Sequence, residues 1–348
     1  MTDVLLDLLI IIAKIVIVLG VNFTILLVLG IGERRISAYM QDRIGPNRVG
    51  PKGLFQTVAD GVKFMFKEDI IPYHVDKVIY LLAPLMVLGP ALMAFAVIPF
   101  GESFSALGRQ IHLQIADLNV GLLYIFAIVS LSVYGIILGG WSSNSKYPLM
   151  GGIRSAAQVI SYELSMGLAI IGVLMISGTF RLNEIVTQQN QLLFGILPNW
   201  NIFLQPVGFI IFLIAVFAET NRLPFDLPEA EPELVAGYHT EYSSMKFLVF
   251  YLGEYVAMVT ASALISTLYL GGWDFPYVDE STLGWWGVVL SVVALAAKMG
   301  FFLFLFIWVR WTLPRFRFDQ LMRLGWKVLL PIALANVVLT AIIISFLQ

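Results

Sequence analysis

The sequence predicts an all-α integral membrane protein with about eight transmembrane helices plus an interfacial amphipathic helix. Three observations predict it. Of 348 residues, 59% are hydrophobic and 13% charged. A soluble domain carries roughly 25% charge, so lipid is the solvent for most of these side chains. Eight apolar runs approach or exceed the roughly 20 residues that cross a bilayer. The basic residues fall almost wholly on alternate loops.

The spans are expected at about 4–31, 78–100, 117–141, 155–178, 202–218, 247–272, 284–309 and 324–347, in one polytopic membrane domain over 1–348. Lipid offers backbone groups no hydrogen-bond partner, so such runs are helices. The alternating segments of a membrane barrel are absent. The first run starts with Asp3 and Asp7 and has no basic leader, so it is expected to stay as a span. The fifth is the shortest. Loops 32–76, 142–154, 219–246 and 310–327 hold 16 of the 21 Lys and Arg, while loops 101–116, 179–201 and 273–283 hold only Arg109 and Arg181. That asymmetry puts the four basic loops in the cytoplasm or matrix and both termini on the periplasmic or outer side. Trp141, Trp273, Trp285, Trp286 and Trp326 stand near span ends, as interfacial anchors do.

Composition also excludes functions. With no cysteine, the chain has no disulfide, thiolate zinc site or cysteine-held iron–sulfur cluster of its own. His74, His112 and His239 lie far apart, and nothing supports a haem. No glycine-rich dinucleotide fingerprint or phosphate loop is present, so neither NADH nor FMN should bind here. A formal net charge of −2 argues against nucleic acid as a partner.

The first inner loop reads GERRISAYMQDRIGPNRVGPKGLFQTVADGVKFMFKEDIIP. Arg34, Arg35, Arg43, Arg48 and Lys52 crowd its first half, and Gly45, Pro46, Gly50 and Pro51 make a stiff turn around Arg48. Leu54, Phe55, Val58, Val62, Met65 and Phe66 then recur at helical spacing, opposite Gln56, Asp60, Lys63 and Lys67. This predicts an amphipathic helix of about four turns lying along the inner interface. A positive-inside anchor accounts for the charge; the rigid Pro/Gly frame suggests a surface shaped for another molecule.

The loop after the fifth span carries Glu219, Asp226, Glu229, Glu231, Glu233 and Glu241, offset only by Arg222. Pro224, Pro228 and Pro232 oppose a regular helix. Leu223, Phe225, Leu227, Leu234 and Val235 are interleaved with the acids, which suggests a docked loop. Crowded, desolvated carboxylates raise one another's pKa and titrate together. Such a set can relay protons or sense charge; a solvated acidic face for a basic partner is the plainer alternative. Glu163 and Glu254 lie within the inner halves of the fourth and sixth spans, where a carboxylate costs about 2.5–3.5 kcal/mol and faces a partner or a wet cavity. Lys14 is expected to snorkel outward as an anchor. Lys298 is too deep for that, and a structural ion pair or a functional role are both open.

Four stretches carry a family resemblance: the loop sequence from GERRISAYMQ to FMFKED, SAAQVISYELSMGL, AETNRLPFDLPEAEPELVAGYHTEYSSMKF, and WVRWTLPRFRFDQLMRLGWK. In this order they resemble the H-type subunit family of proton-pumping NADH:quinone oxidoreductase, respiratory complex I, which includes mitochondrial NADH dehydrogenase subunit 1. The resemblance runs from about residue 32 to the last span and implies an inner-membrane subunit joining the membrane arm to the hydrophilic arm. Other complex I subunits are the implied partners, carrying the FMN and iron–sulfur clusters, with quinone as substrate and no cofactor held by this chain. A quinone access tunnel is implied between the first span, the interfacial helix and the sixth span, with Arg34, Arg43, Arg48, Asp60, Phe55 and Phe66 as its candidates. An acidic chain for proton coupling maps onto Glu219, Glu229, Glu231, Glu233, Glu241, Glu254 and Glu163. Arg310, Arg315, Arg317 and Arg323 are implied contacts to the hydrophilic arm, although the positive-inside rule alone accounts for their sign. Three rivals remain: a stand-alone ion transporter, a purely structural anchor, and the related subunit of a membrane-bound hydrogenase or other-donor oxidoreductase.

Overall fold

The computed structural model describes residues 2–106, 109–193, 197–278 and 283–347. Its first helix, α1 (Thr2–Met40), is 39 residues long, about 58 Å at 1.5 Å per residue. It is nearly twice the thickness of a hydrocarbon core, so its ends pass beyond the bilayer or it tilts. The stiff turn follows, and then α2 (Gln56–Phe66), three turns where the sequence suggested about four. α2 crosses α1 at Gly30, where an added Cβ would come within 3.1 Å of Thr57. Val58, Val62, Met65 and Phe66 stay exposed on its far side, as an interfacial helix requires.

Five further helices are long: α3 (Lys77–Met93), α4 (Gly121–Ser142), α5 (Lys146–Ser177), α10 (Ser244–Tyr269) and α11 (Trp285–Thr312). The last stretch, α12 (Phe318–Arg323), runs through a π turn at Leu324–Leu329 into α13 (Leu330–Leu347). Among the described residues, seven helices are long and apolar enough to cross a membrane. The expected fifth span is split: α7 (Asn201–Leu204) bends at Gln205 into α8 (Pro206–Glu219). α8 is 14 residues, about 21 Å, and the two pieces together approach a bilayer's thickness. The short elements are α6 (Leu182–Gln189), α9 (Glu231–Leu234) and two hairpins, β1 (Phe104–Ala106) with β2 (Arg109–Ile111) and β3 (Leu192–Leu193) with β4 (Leu197–Pro198).

α10 is the central post. Every residue from Met258 to Tyr269 is buried. Its polar side chains are satisfied within the helix: Thr260, Ser262, Ser266 and Thr267 each donate to the carbonyl four residues back. α3 packs against α4 and α10, and α5 against α4, α8 and α13. Small residues allow the close approaches. A Cβ on Gly135 would sit 2.6 Å from Val87, and one on Gly253 2.7 Å from the same side chain. α1 is the exception, with most of its residues from Val4 to Val28 exposed.

The two intramembrane lysines both donate to backbone carbonyls. Lys14 donates to Gln114 O at 3.0 Å, reaching the strap before α4. Lys298 donates to the carbonyls of Leu270, Gly272 and Asp274 at 2.6–2.9 Å and lies 5.1 Å from the Trp200 ring centroid.

Candidate functional site

Four segments converge where α1 leaves the apolar region. Glu33, on α1, is 5% exposed. Arg222, just past α8, is 3% exposed and places Nη1 3.1 and 3.2 Å from the two Glu33 oxygens. Its Nε lies 2.5 Å from Glu254 Oε1 on α10, and its guanidinium 4.3 Å from the Tyr255 ring. Arg310, at the end of α11, donates to Glu33, and so does the Tyr255 hydroxyl. Tyr251 and Tyr255 hydroxyls are 2.8 Å apart. Four side-chain charges thus form one buried, nearly balanced cluster with Arg222 as its bridge.

The loop behind the cluster is docked, as its interleaved apolar residues suggested. Phe225, Leu227 and Leu234 are buried. Gln158 of α5 donates to Ala218 O at 2.7 Å and Phe225 O at 2.8 Å, fastening the segment to the bundle. Asp226 pairs with Arg315 at 2.5 Å, yet burial outweighs that cation and pushes its carboxyl above the usual range. Glu229 has no arginine or lysine within ion-pair distance among the described residues. Its side chain is 27% exposed but lies deep among packed atoms, and depth governs solvation here. Burial, then the negative charges of Glu254 and Asp226, holds it well above the carboxylate range, with Arg222 and Arg310 opposing in part. His239 Nδ1 is 3.8 Å from Glu229, and burial lowers the imidazole to about 4, so it stays neutral. Arg222 stays charged, because burial is more than offset by Glu254 and Glu33.

A second acidic pair lies deeper. Glu219, closing α8, lines a cavity of about 40 Å³ with Ser132, Thr220 and Thr260, room for a water molecule. Glu163 is the like charge that acts on Glu219, and its Oε1 is 2.5 Å from Ser130 Oγ. The remaining acids of the expected chain stand apart. Glu233 pairs with Arg154 at the rim at 2.6 Å. Glu241 meets Tyr80 through its backbone carbonyl, at 2.7 Å. The Glu231 side chain lies outside the described residues.

A cavity of about 470 Å³ opens between α1, α2 and α10, where the tunnel was expected. Along α1 its wall changes from Phe23, Leu26 and Leu27 to Glu33, Arg34 and Ser37. Arg34, Arg43 and Asp60 line it, and Arg34 pairs with Asp60 at 2.7 Å. Arg48, Phe55 and Phe66 stand elsewhere. Arg48 is exposed, and Phe55 packs on the face of Gly50, where a Cβ would collide with its ring. Phe66 ends α2 at 87% exposure, pointing away from α1, while Phe64 takes the lining position. Of the basic group near the C-terminus, Arg310 and Arg315 turn inward onto Glu33 and Asp226, whereas Arg317 and Arg323 remain exposed. Among the described residues no three His, Asp or Glu are placed to hold a metal ion.

Glu33 is the participant that sequence reasoning missed. Its only signal is being a lone acid before two arginines where an apolar helix turns polar. Its partners, Arg222 and Arg310, are 189 and 277 residues away.

The family profile described as NADH dehydrogenase matches residues 13–341. The chain belongs to this NADH dehydrogenase family. Similar proteins include an H-type subunit of NADH-quinone oxidoreductase from Geobacter metallireducens, 51% identical over 340 residues and 98% of both chains. Its counterpart from Cytophaga hutchinsonii is 50% identical over 91% of this chain and 93% of its own. The H-type subunit of NADH-quinone oxidoreductase from Thermomicrobium roseum is 52% identical over 89% of each. Family membership accords with the resemblance carried by the four motifs, and Glu33, Arg222 and Arg310 of the polar cluster come from three of them.

Proposed function

We propose that this chain is the membrane subunit of NADH-quinone oxidoreductase that admits quinone and passes the consequence of its reduction to a proton-coupling relay. One observation carries the reading: the polar wall of the α1–α2–α10 cavity includes Glu33, and Glu33 shares Arg222 with Glu254. The apolar stretch from Phe23 to Leu27 suits an isoprenoid tail, and Arg34, Asp60 and Tyr255 suit a polar headgroup at the other end. Oxidation of NADH by FMN and iron–sulfur clusters belongs to partner subunits, in keeping with a chain that has no cysteine.

Reducing a quinone to quinol takes two electrons and two protons; protons drawn from groups lining the cavity leave those groups more negative, so charge near Glu33 changes during turnover. A more negative cavity draws Arg222 toward Glu33 and weakens its hold on Glu254. Glu254 then becomes a better proton acceptor, and Glu229, which favours its protonated form, is the adjacent donor. Glu219 and Glu163 continue the relay toward the middle of the membrane. Orientation follows the positive-inside rule, with this cluster on the cytoplasmic or matrix side of an inner membrane.

Glu229→Gln and Glu254→Gln test the relay in the assembled complex reconstituted in vesicles. Both variants are expected to lower proton-coupled quinone reduction several-fold, while NADH oxidation by an artificial acceptor at the hydrophilic arm stays at the parent rate. Parent-level quinone reductase activity with the parent's ratio of protons to electrons in both variants removes the relay.

A further inference from the structure

α1 borders a second cavity, separate from the polar cluster. It lies between α1 and α11 under the strap that precedes α4, and its volume is about 340 Å³. Its wall on α1 runs from Lys14 to Ile25, about 16 Å at 1.5 Å per residue. That is one leaflet's share of a hydrocarbon core about 30 Å thick. That length and an almost wholly apolar lining suit a hydrocarbon chain lying along the groove. Ile17, Val21, Leu295, Met299 and Leu303 make the walls apolar. Asn22 turns its amide back onto its own helix, donating to Val18 O at 2.9 Å. Gly300 stands in the α11 wall, exposed, with open space around the place a Cβ would occupy.

At the N-terminal end of the groove the chemistry changes. The Lys14 ammonium has three hydrogens to donate, and its bond to Gln114 O uses one. Gln114 is 5% exposed and donates Nε2 to Val97 O at 2.6 Å, while its Oε1 has no hydrogen-bond partner among the described residues. A cation with donors to spare and a buried acceptor lacking a donor therefore stand together at the head of an apolar channel open to lipid.

We propose that this groove binds one anionic phospholipid of the leaflet facing the N-terminus. The phosphate rests on Lys14, a headgroup hydroxyl donates to Gln114 Oε1, and one acyl chain fills the channel between α1 and α11. Phosphatidylglycerol supplies all three features, and phosphatidylcholine lacks both the net charge and the hydroxyl. The bound chain holds the outer half of α1, which packs on little else, against the bundle.

The test uses the purified, assembled complex carrying Lys14→Met or Gly300→Phe, which respectively remove the cation and fill the channel from its open side. Native mass spectrometry counts lipids retained after detergent exchange and on titration with dioleoylphosphatidylglycerol or dioleoylphosphatidylcholine. The parent is expected to keep one phosphatidylglycerol that each variant loses, with binding weakened at least tenfold and quinone reductase activity unchanged. Unchanged retention in both variants overturns the proposal. So does equal retention of the two lipids by the parent, or a loss confined to Gly300→Phe, which would leave an acyl slot without anion recognition. A helix from a neighbouring protein seated in the groove overturns it as well. Should Gly300→Phe fail to assemble, Lys14→Met and the comparison of lipids decide.

Discussion

The two ends of the bundle both bury charge, and they settle its cost differently. At the end that carries the N-terminus of α1, Lys298 donates to the backbone carbonyls of Leu270, Gly272 and Asp274. Gln189 beside it donates to Thr267 O and accepts from the amides of Asn201 and Gly271. Carbonyl and amide dipoles do not titrate, so these bonds hold one arrangement across the physiological pH range. At the opposite end, Arg222 and Arg310 are balanced against carboxylates, with further acids close by. Each of those partners can gain or lose a proton, and each gain alters its neighbours. The contrast teaches where to look for coupling: a buried charge matched by backbone is an anchor, and one matched by crowded ionisable groups is able to respond.

Three predictions sharpen or break this contrast. The largest effect belongs to Arg222→Met. It strands Glu33 and Glu254 without their shared cation, and breaking a buried pair costs about 3–5 kcal/mol. The expected outcome is a lower melting temperature of the solubilised complex, together with loss of quinone reductase activity. Parent-like melting and turnover would show that the cluster is not the bridge the geometry describes.

His239 gives the next effect, and it is a matter of pH. Its folded-state value is about 4 against an ordinary 6.5, so between those limits the unfolded chain binds more protons than the folded one. Stability contributed by the neutral imidazole is therefore present above about 6.5 and declines as pH falls toward 4. The full span is worth about 3 kcal/mol. His239→Gln is expected to flatten the fall in thermal stability between pH 6.5 and 4.5, measured on the purified complex. An unchanged slope would place the pH sensitivity in other groups.

Lys298→Met should have the smallest effect on turnover. It leaves three carbonyls of the turn after α10 short of a donor, at about 1–3 kcal/mol for each that water does not reach. Thermal stability is expected to drop while the pH profile of quinone reduction keeps its shape. A shifted pH profile would mean that Lys298 takes part in titration and would erase the distinction between the two ends.

How much of this was readable in the chain differs by element. Long helices were legible, because hydrophobic runs in lipid have one way to satisfy their backbone. The expected fifth span, 202–218, falls on two helices, and its break at Gln205 was not foreseen. The docked acidic loop was foreseen from the apolar residues between its acids. Its acids read as one string, and the structure divides them. Glu229 and Glu254 gather round Arg222, Glu219 and Glu163 form a deeper pair, and Glu233 is neutralised at the rim by Arg154. Spacing could not separate these groups, since α5, α8 and α10 decide which side of the loop each acid faces.

Hydropathy and charge alone determined that this is a multi-pass helical membrane protein, with its basic and acidic loops on a common side and a few charges in unfavourable places. Those features follow from transfer free energies, which act residue by residue. Only the tertiary structure decided which charges meet. Glu33 was an ordinary helix residue until Arg222 and Arg310 were brought to it across 189 and 277 positions. Ion-pair energies depend on separation and burial, and neither exists before the helices have packed.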